Sequence, residues 1–167
     1  MADLRIERRE GFGLASIMAR KGIDAGRIGA ALGLVAPTSP ARTVGSDGSS
    51  LIGVGEGSWL AYADDVPVFW ADELRRRLNG LASVSDQSSA YVLLRLQGED
   101  ARSLLQRGMP IDLHADVFGP DSAATTVISH IGAIVWQLDH RPTYDVATFR
   151  SFADSFRHWL DQAATAL

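Results

Sequence analysis

The stretch from Val84 to Phe118 constrains the fold of this chain most, because turn, strand and helix signals follow one another there without a gap. Residues 91–96 read YVLLRL, an apolar run rich in β-forming residues that predicts a strand covered on both faces. Gly98 breaks the run. Glu99 and Asp100 then place negative charge where the first turn of a helix favours it.

The helix that follows is short and ends sharply. Ala101, Leu104 and Leu105 recur at helical spacing and predict one apolar face. Gly108 is a candidate C-terminal cap, and Pro110 prevents the helix from continuing. The stretch therefore predicts a strand, a turn, a helix and a stop.

A polar turn precedes this unit. Asp86 and Ser88 have short side chains that can accept or donate hydrogen bonds to their own backbone, which favours a turn just before the strand.

Composition bounds the class of protein. The 167 residues are 46% hydrophobic and 22% charged, as in a soluble globular chain of one domain or two closely packed halves. A formal net charge of −4 argues against nucleic acid as the main partner. The sequence has no cysteine, which excludes disulfides and thiolate chemistry. Since no run approaches the roughly 20 apolar residues of a membrane span, and the charged N-terminus does not resemble a secretory signal, we expect a cytoplasmic protein without a membrane partner.

The first third of the chain predicts an edge strand, two helices and a long loop. Leu4–Arg9 alternates apolar and charged residues, as a half-exposed strand does. Leu14–Lys21 and Ala25–Leu32 show partial helical periodicity, and Asp24 is placed to cap the second helix. Pro37–Ser50 has the composition of a loop.

A hairpin and a helix follow. Leu51–Val54 and Ser58–Ala63 predict two strands joined by a glycine-containing turn. These glycines do not indicate a phosphate-binding loop, because no Gly-Lys-Ser/Thr ending follows them. Pro67 opens a predicted helix that runs to about Leu81.

The last third predicts three strands and a closing helix. The strands are Ala123–His130, Ala133–Leu138 and Pro142–Thr148, with a tight turn at Gly132 between the first two. Phe149–Ala164 has the clearest amphipathic helical pattern of the chain, with aromatic and aliphatic residues on one face.

The order of elements repeats weakly between the halves. The first half reads helix, glycine-proline stop, loop, hairpin and helix, and the second half has the same order with a further strand before its last helix. This order predicts an α+β fold of two intertwined halves. We expect a single domain whose halves cover about residues 1–82 and 83–167, sharing one antiparallel sheet with helices on one face.

No self-contained active site is visible in the sequence. His114 lies near Asp112 and Asp116, but no metal-binding spacing such as H-E-x-x-H occurs. Serine, histidine and aspartate all occur without a nucleophile elbow. Adjacent carboxylates such as Asp64 and Asp65 indicate caps and solvated surface rather than an acid–base pair.

Several of these segments resemble a known family. The run VSDQSSAYVLLRLQGEDARSLLQRGMPIDLHADVF, the threonines Thr125 and Thr126, and the helix RSFADSFRHWL are similar to the gamma subunit of heterotetrameric sarcosine oxidase. The D-x-S, strand, glycine and helix pattern is also similar to the folate-binding domain of the aminomethyltransferase family. The resemblance covers about Ser58–Ala164, and RGMPIDLH is its most specific part.

The resemblance implies a non-catalytic subunit with no cofactor of its own. FAD, FMN, NAD, zinc and tetrahydrofolate are implied for the complex, whose partners for this chain are the alpha, beta and delta subunits. The complex would oxidise sarcosine to glycine, with hydrogen peroxide and methylene-tetrahydrofolate as products. We expect the partner interface among residues of the organising stretch, namely Asp86, Gln87, Ser88, Arg95, Met109, Pro110, Ile111, Asp112 and His114.

Three alternatives remain open from the sequence. The chain is the equivalent subunit of an N-methylglutamate dehydrogenase, a free-standing folate-binding protein, or a small adaptor unrelated to folate chemistry.

Overall fold

The computed structural model describes residues 2–167, which fold as an α+β protein with antiparallel sheets. The strands, in chain order, are β1 (Arg5–Arg9), β2 (Gly13–Ala19), β3 (Arg42–Val44), β4 (Ser50–Gly55), β5 (Ser58–Ala63), β6 (Ala82–Asp86), β7 (Tyr91–Gln97), β8 (Ala123–Ile128), β9 (Ile131–Asp139) and β10 (Thr143–Phe149). The helices are α1 (Ala25–Leu32), α2 (Trp70–Arg77), α3 (Ala101–Gln106) and α4 (Ala153–Ala164), with a 3-10 turn over Arg150–Phe152 before α4.

The chain divides into two compact units that are interleaved along the sequence. The terminal unit comprises the residues up to Glu10 together with Ala90–Leu167, and the middle unit comprises Gly11–Ser89. The terminal unit has a sheet of order β1-β7-β10-β9-β8, and the middle unit has a sheet of order β3-β4-β5-β2-β6. The prediction of intertwined halves is confirmed, although the chain changes unit after residues 10 and 89 rather than near residue 82.

The two sheets have the same topology. From β2 the middle unit runs α1, β3, β4, β5, α2 and β6, and from β7 the terminal unit runs α3, β8, β9, β10 and α4. The equivalent strands of the two repeats therefore lie in the same order in their sheets. β1 occupies in the terminal unit the place that β6 occupies in the middle unit. The weak repeat in the sequence thus reflects a real repeat of the fold.

The prediction of a single shared sheet is wrong, because each unit closes its own sheet. The first strand of each repeat, β2 or β7, is the reason. β2 pairs with β5 and β6, all in the middle unit, and β7 pairs with β1 and β10, all in the terminal unit. Both edges of each of these strands are therefore used within one unit.

The predicted helix over Leu14–Lys21 is also wrong, since this segment is strand β2. Leu14, Ala15 and Ile17 are all fully buried, so apolar residues point to both faces of the strand. A short apolar run of this kind has no periodicity that separates a covered strand from a helix. Strand β6, Ala82–Asp86, was not predicted from the sequence either, because serine and aspartate are poor β-formers.

Other predictions of the middle unit are confirmed. α1 spans Ala25–Leu32, and the Asp24 carboxylate accepts a hydrogen bond from the Arg27 backbone N–H at 2.9 Å. The hairpin of β4 and β5 also lies where the pattern placed it. The loop predicted over Pro37–Ser50 contains one short strand, β3, which pairs with β4.

The helices α2 and α4 are shorter than predicted. α2 begins at Trp70, because the Trp70 backbone N–H donates to the Pro67 carbonyl in a turn before the helix. The pattern starting at Phe149 is wrong in its first turn, since Phe149 ends β10 and Phe152 lies in the 3-10 turn, and both rings are exposed. From Ala153 onwards α4 is amphipathic as predicted and buries Phe156 and Leu160.

The turn between β8 and β9 lies at Ser129 and His130 rather than at Gly132. Both residues have positive φ angles, 49° and 70°. That combination is typical of the two-residue type I′ hairpin turn. Gly132 is the second residue of β9.

Each unit has its own apolar core between one sheet face and its two helices. The main members from the terminal sheet and from α3 and α4 are Leu94, Leu96, Leu104, Leu105, Val135, Tyr144, Val146, Phe156 and Leu160. The main members from the middle sheet and from α1 and α2 are Ala15, Ile17, Ile28, Leu32, Leu51, Trp59, Leu74 and Leu78. No helix within residues 2–167 has the length and apolar character needed to cross a membrane.

Candidate functional site

The Asp86-Gln87-Ser88 segment fastens the end of β6 to the start of β2. The Asp86 Oδ1 accepts hydrogen bonds from the Ser88 N–H at 2.9 Å and the Ser88 hydroxyl at 2.7 Å. The Leu14 N–H donates to Ser88 Oγ at 3.0 Å, and the Gln87 N–H donates to the Leu14 carbonyl at 2.7 Å. The predicted turn is present, and in the middle unit it holds an edge strand in register.

Arg95 forms a bidentate ion pair with Asp145 on the neighbouring strand. Arg95 Nε and Nη2 donate to the two Asp145 carboxylate oxygens, each at 2.8 Å. The Asp145 side chain is fully buried and the Arg95 side chain is 18% exposed. Because Leu94 and Leu96 point into the core with the helices, Arg95 points to the opposite face of the terminal sheet. Such a pair fixes the register of β7 and β10, and removing one partner would leave a buried charge.

The charged strand β1 continues this row of charges. Glu7 lies directly opposite Arg95 in the β1–β7 register. Arg5 and Arg9 each have a guanidinium nitrogen 3.1 Å from a Glu7 carboxylate oxygen. Charges of alternating sign therefore run across β1, β7 and β10 on the face away from the helices.

The segment after α3 folds over the end of that helix through Gln106. Its amide Nε2 donates to the Ile111 carbonyl at 2.6 Å, and its Oε1 accepts from the Leu113 N–H at 3.0 Å. Sequence reasoning missed Gln106. Its position as the last residue of α3, directly before a non-repetitive segment whose backbone groups need partners, is the signal that could have found it.

Apolar residues anchor the same loop. Met109, Leu113 and Phe118 are buried in the terminal core. Ile111 is half-buried, whereas Pro110 is exposed. The predicted interface segment is thus a loop that buries Met109 in the core and leaves Pro110 exposed.

His114 and its neighbours form an exposed polar turn. The Asp112 carboxylate accepts from the His114 N–H at 2.8 Å, and His114 Nδ1 accepts from the Asp116 N–H at 3.3 Å. Within residues 2–167 no three or more His, Cys, Asp or Glu side chains are arranged to hold a metal ion. The described residues therefore do not fit the zinc that the resemblance implies for the complex.

Perturbed titrating groups are few and have simple causes. Burial raises the pKa of Tyr144, whose hydroxyl accepts a hydrogen bond from Arg102 Nε at 3.2 Å, a contact that acts in the opposite direction. Burial also raises the pKa of Tyr91. The Ser49 hydroxyl and N–H lower the pKa of Asp47, which accepts both hydrogen bonds. These groups are dispersed over both units and do not form a catalytic pair.

The predicted interface residues fall into three groups. Met109, Pro110, Ile111, Asp112 and His114 share one loop of the terminal unit. Arg95 belongs to the same unit but lies on the sheet face away from that loop, and Asp86–Ser88 belong to the middle unit.

Comparison with known proteins identifies the family. The model of the sarcosine oxidase, gamma subunit family matches residues 19–166, most of the chain. The chain belongs to this family. Two members from bacteria show how far the similarity extends. The sarcosine oxidase subunit gamma of Corynebacterium sp. strain P-1 is 28% identical over 134 residues, which cover 80% of this chain and 66% of the relative.

A second relative gives the same result. The sarcosine oxidase subunit gamma of Corynebacterium sp. strain U-96 is 28% identical over 138 residues, covering 81% of this chain and 66% of the relative. The matched region thus spans slightly less than two thirds of the length of these gamma subunits.

Two solved structures have the same fold as this chain. A chain of the heterotetrameric sarcosine oxidase from Corynebacterium sp. U-96 superposes with a TM-score of 0.87 at 24% identity, covering 98% of this chain and 84% of that chain. The glycine cleavage system aminomethyltransferase T from Bartonella henselae superposes with a TM-score of 0.71 at 16% identity, covering 95% of this chain and 45% of that one. The predicted likeness to the aminomethyltransferase fold is therefore confirmed.

Proposed function

We propose that this chain is the gamma subunit of a heterotetrameric sarcosine oxidase and that its task is to bind and support the catalytic subunits. The observation that carries the proposal is the match of the gamma subunit family to residues 19–166. The two Corynebacterium relatives, both named sarcosine oxidase subunit gamma, support it.

The geometry of the candidate residues supports a structural task. The Asp86 and Ser88 side chains are engaged in a strand-fastening turn. Arg95 is held by Asp145, and the Asp112 carboxylate caps a backbone N–H. Side chains committed to such contacts stabilise a defined surface, and a defined surface is what an assembly subunit presents to its partners.

The chemistry of the whole complex is part of the same proposal. The other subunits, alpha, beta and delta, would hold FAD, FMN, NAD and zinc and would deliver a one-carbon unit to tetrahydrofolate. The complex would oxidise sarcosine to glycine in the cytoplasm, with hydrogen peroxide as the second product. An N-methylglutamate dehydrogenase with an equivalent subunit is the alternative complex.

Co-expression tests the assembly proposal. The chain is produced together with the alpha, beta and delta subunits of a sarcosine oxidase from the same organism, with an affinity tag on the alpha subunit. We expect all four chains to elute together from the affinity column and from size exclusion in equal amounts. Co-elution of the other three subunits without this chain would contradict the proposal.

Two further measurements separate the alternatives. Turnover of the purified complex with sarcosine and with N-methylglutamate distinguishes the two kinds of oxidase, and we expect sarcosine to be preferred. Calorimetry of the isolated chain with a reduced folate tests the free-standing folate-binding alternative, and we expect no heat of binding.

A further inference from the structure

Strand β8 (Ala123–Ile128) forms an open edge of the terminal sheet. It pairs with β9 on one side, and no other strand within residues 2–167 pairs with it. The side chains of Thr125 and Val127 are exposed on this strand, and Val127 is 40% exposed. No described strand therefore occupies the second side of β8, and the exposed side chains of Thr125 and Val127 lie in its middle part.

The hairpin geometry shows which backbone groups face outward. In a hairpin with a two-residue turn, the residues flanking the turn form a hydrogen-bonded pair, and such pairs recur at every second residue. The flanking pair is Ile128 with Ile131. The Gln137 N–H donates to the Ser122 carbonyl at 3.0 Å, and Ser122 belongs to the same series of every second residue as Ile128. The N–H and C=O groups of Ala123, Thr125 and Val127 consequently point away from β9.

The other edge strands of the two sheets contain charged residues, whereas β8 contains none. In β1, four of five residues are charged, namely Arg5, Glu7, Arg8 and Arg9. β3 has three residues and begins with Arg42, and β6 ends at Asp86. The six residues of β8 read AATTVI and include neither a charge nor a proline. Edge strands commonly carry charges or prolines to prevent pairing with other chains, so an uncharged edge of this length indicates a partner.

A groove adjoins the open strand on the face away from the helices. It has a volume of about 140 Å³ and is lined by residues of four strands, namely Tyr91, Thr125, Thr126, Gly132, Ala133, Ile134 and Phe149. Gly132 forms part of its floor. A Cβ atom built on Gly132 would meet no described atom within 4 Å, so the space above this residue is open. The rings of Tyr91 and Phe149 stack at 4.7 Å and form one wall. The groove starts at β8 itself and is mainly apolar.

We propose that β8 receives an extended strand of a larger subunit of the oxidase, which adds to the terminal sheet and places a long apolar side chain in the groove. The outward N–H and C=O groups of Thr125 and Val127 are matched by another strand, and the uncharged edge admits an uncharged segment. A phenylalanine, leucine or methionine on that segment reaches over Val127 to the open floor at Gly132. This inference rests on the proposed function for the identity of the partner.

A second copy of the chain fits this surface less well. In a β8–β8 pair, the incoming strand would present Ala123, Thr125 and Val127 to the same face. These side chains are too short to reach across the strand, so the groove beside Phe149 would stay empty. An empty apolar groove forfeits the burial that would stabilise the pairing.

Hydrogen exchange of the intact complex tests the proposal directly. Amide exchange is measured residue by residue for the free chain and for the chain within the purified four-subunit complex. We expect the amides of Thr125 and Val127 to exchange rapidly in the free chain and at least about 100-fold more slowly in the complex. The amides of Thr126 and Ile128 face β9 and serve as internal controls, because they are protected in both states.

A matched pair of substitutions provides the second test. Val127→Lys places a charge on the β8 edge, and Val44→Lys does the same on β3, the equivalent edge of the middle unit, where Val44 is 48% exposed. Because both side chains are exposed, we expect both variants to fold with unchanged thermal midpoints. Val127→Lys should weaken capture by the tagged alpha subunit about tenfold or more, and Val44→Lys should leave it unchanged.

The outcomes separate this inference from the proposed function. A complex that forms while Thr125 and Val127 exchange as fast as in the free chain, or that tolerates Val127→Lys, overturns the strand addition and leaves the subunit assignment intact. A chain that joins no complex overturns both. Concentration-dependent protection of Thr125 in the isolated chain overturns the choice of partner in favour of a second copy.

Discussion

The middle and terminal units have the same strand order but stabilise it by different means. In the middle unit, β2 and β5 carry no charged residue, and their pairing relies on apolar and aromatic side chains. In the terminal unit, the equivalent strands β7 and β10 are joined by the Arg95–Asp145 ion pair. One topology thus accommodates two kinds of sheet interior, one without charged residues and one with a paired buried charge.

The units also differ in how they acquire their last strand. β6 follows α2 directly and is fastened by the turn at Ser88. β1 comes from the other end of the chain and is fastened by Asp3, whose N–H donates to the Asp100 carboxylate at 2.8 Å. The Asp3 carboxylate in turn accepts from the Glu99 N–H at 3.1 Å. A strand that is distant in sequence therefore needs contacts of its own to the start of α3.

The largest expected difference between the units concerns the buried ion pair. Arg95→Ala leaves the fully buried Asp145 without its bidentate partner, and we expect it to lower the free energy of unfolding by about 3–5 kcal/mol. Ser16→Ala, on the equivalent strand of the middle unit, is the control and should cost about 1 kcal/mol or less. Urea denaturation of both variants measures the difference. Equal losses would show that the ion pair does not distinguish the two sheets.

A pair of glycines tests the fastening of β1. Gly98 and Gly22 both have positive φ angles and both lie between the first strand and the first helix of their repeat. A Cβ atom at Gly98 would lie 2.1 Å from the Asp3 carbonyl oxygen, whereas one at Gly22 would meet no described atom within 4 Å.

We expect Gly98→Ala to cost about 2–4 kcal/mol, from backbone strain and from displacement of the N-terminal segment. Gly22→Ala should cost about 1–2 kcal/mol from strain alone. Thermal unfolding of the two variants gives the comparison, and hydrogen exchange of β1 shows whether that strand detaches. Equal costs would mean that the contact with Asp3 contributes nothing.

The fastening turn of β6 is expected to contribute less. Ser88→Ala removes the acceptor of the partly buried Leu14 N–H, and we expect a loss of about 1–2 kcal/mol. Asp3→Ala removes the exposed carboxylate that accepts from the Glu99 N–H in the terminal unit, and it should cost about 1 kcal/mol or less. Chemical denaturation of both variants ranks the two fastenings. A larger loss for Asp3→Ala would reverse the ranking.

The smallest expected effect appears at high pH and belongs to the terminal unit. Burial raises the pKa of Tyr91 and of Tyr144 above the ordinary 10.0, so the folded state favours the protonated phenols. Their contribution to stability is complete below the unfolded pKa and is lost as the pH rises through the folded values. Ultraviolet titration should therefore show two tyrosines ionising above pH 10, and Tyr91→Phe and Tyr144→Phe should each remove one. Ionisation of either tyrosine below pH 10 would contradict burial as the cause.

Local signals were sufficient for several elements and for part of the candidate site. The strand at Tyr91 and the hairpin of β4 and β5 follow from β-forming residues bounded by turn residues. The α1 cap at Asp24 and the turn at Asp86–Ser88 follow from short polar side chains that bond their neighbours. In each case the residues that decide the structure lie within a few positions of one another.

Contacts between residues far apart in the chain could not be predicted from the sequence. Arg95 was recognisable as the one charge in an apolar run, but its partner Asp145 lies 50 residues away. The same holds for Gly13, where a Cβ atom would lie 2.5 Å from the Trp70 ring, and for the role of Gln106 in ordering the loop after α3. These residues acquire their meaning from neighbours that the sequence does not place beside them.

The sequence by itself determined the α+β class, the repeat of elements and the family resemblance, because periodicity and short motifs are properties of neighbouring residues. Tertiary structure decided that β2 is a strand, that there are two sheets rather than one, and that β1 completes the unit at the far end of the chain. It also decided that β8 is the edge left open. Strand partners and sheet edges depend on hydrogen bonds between residues far apart in sequence, and burial on both faces of a strand removes the periodicity from which pairing could have been read.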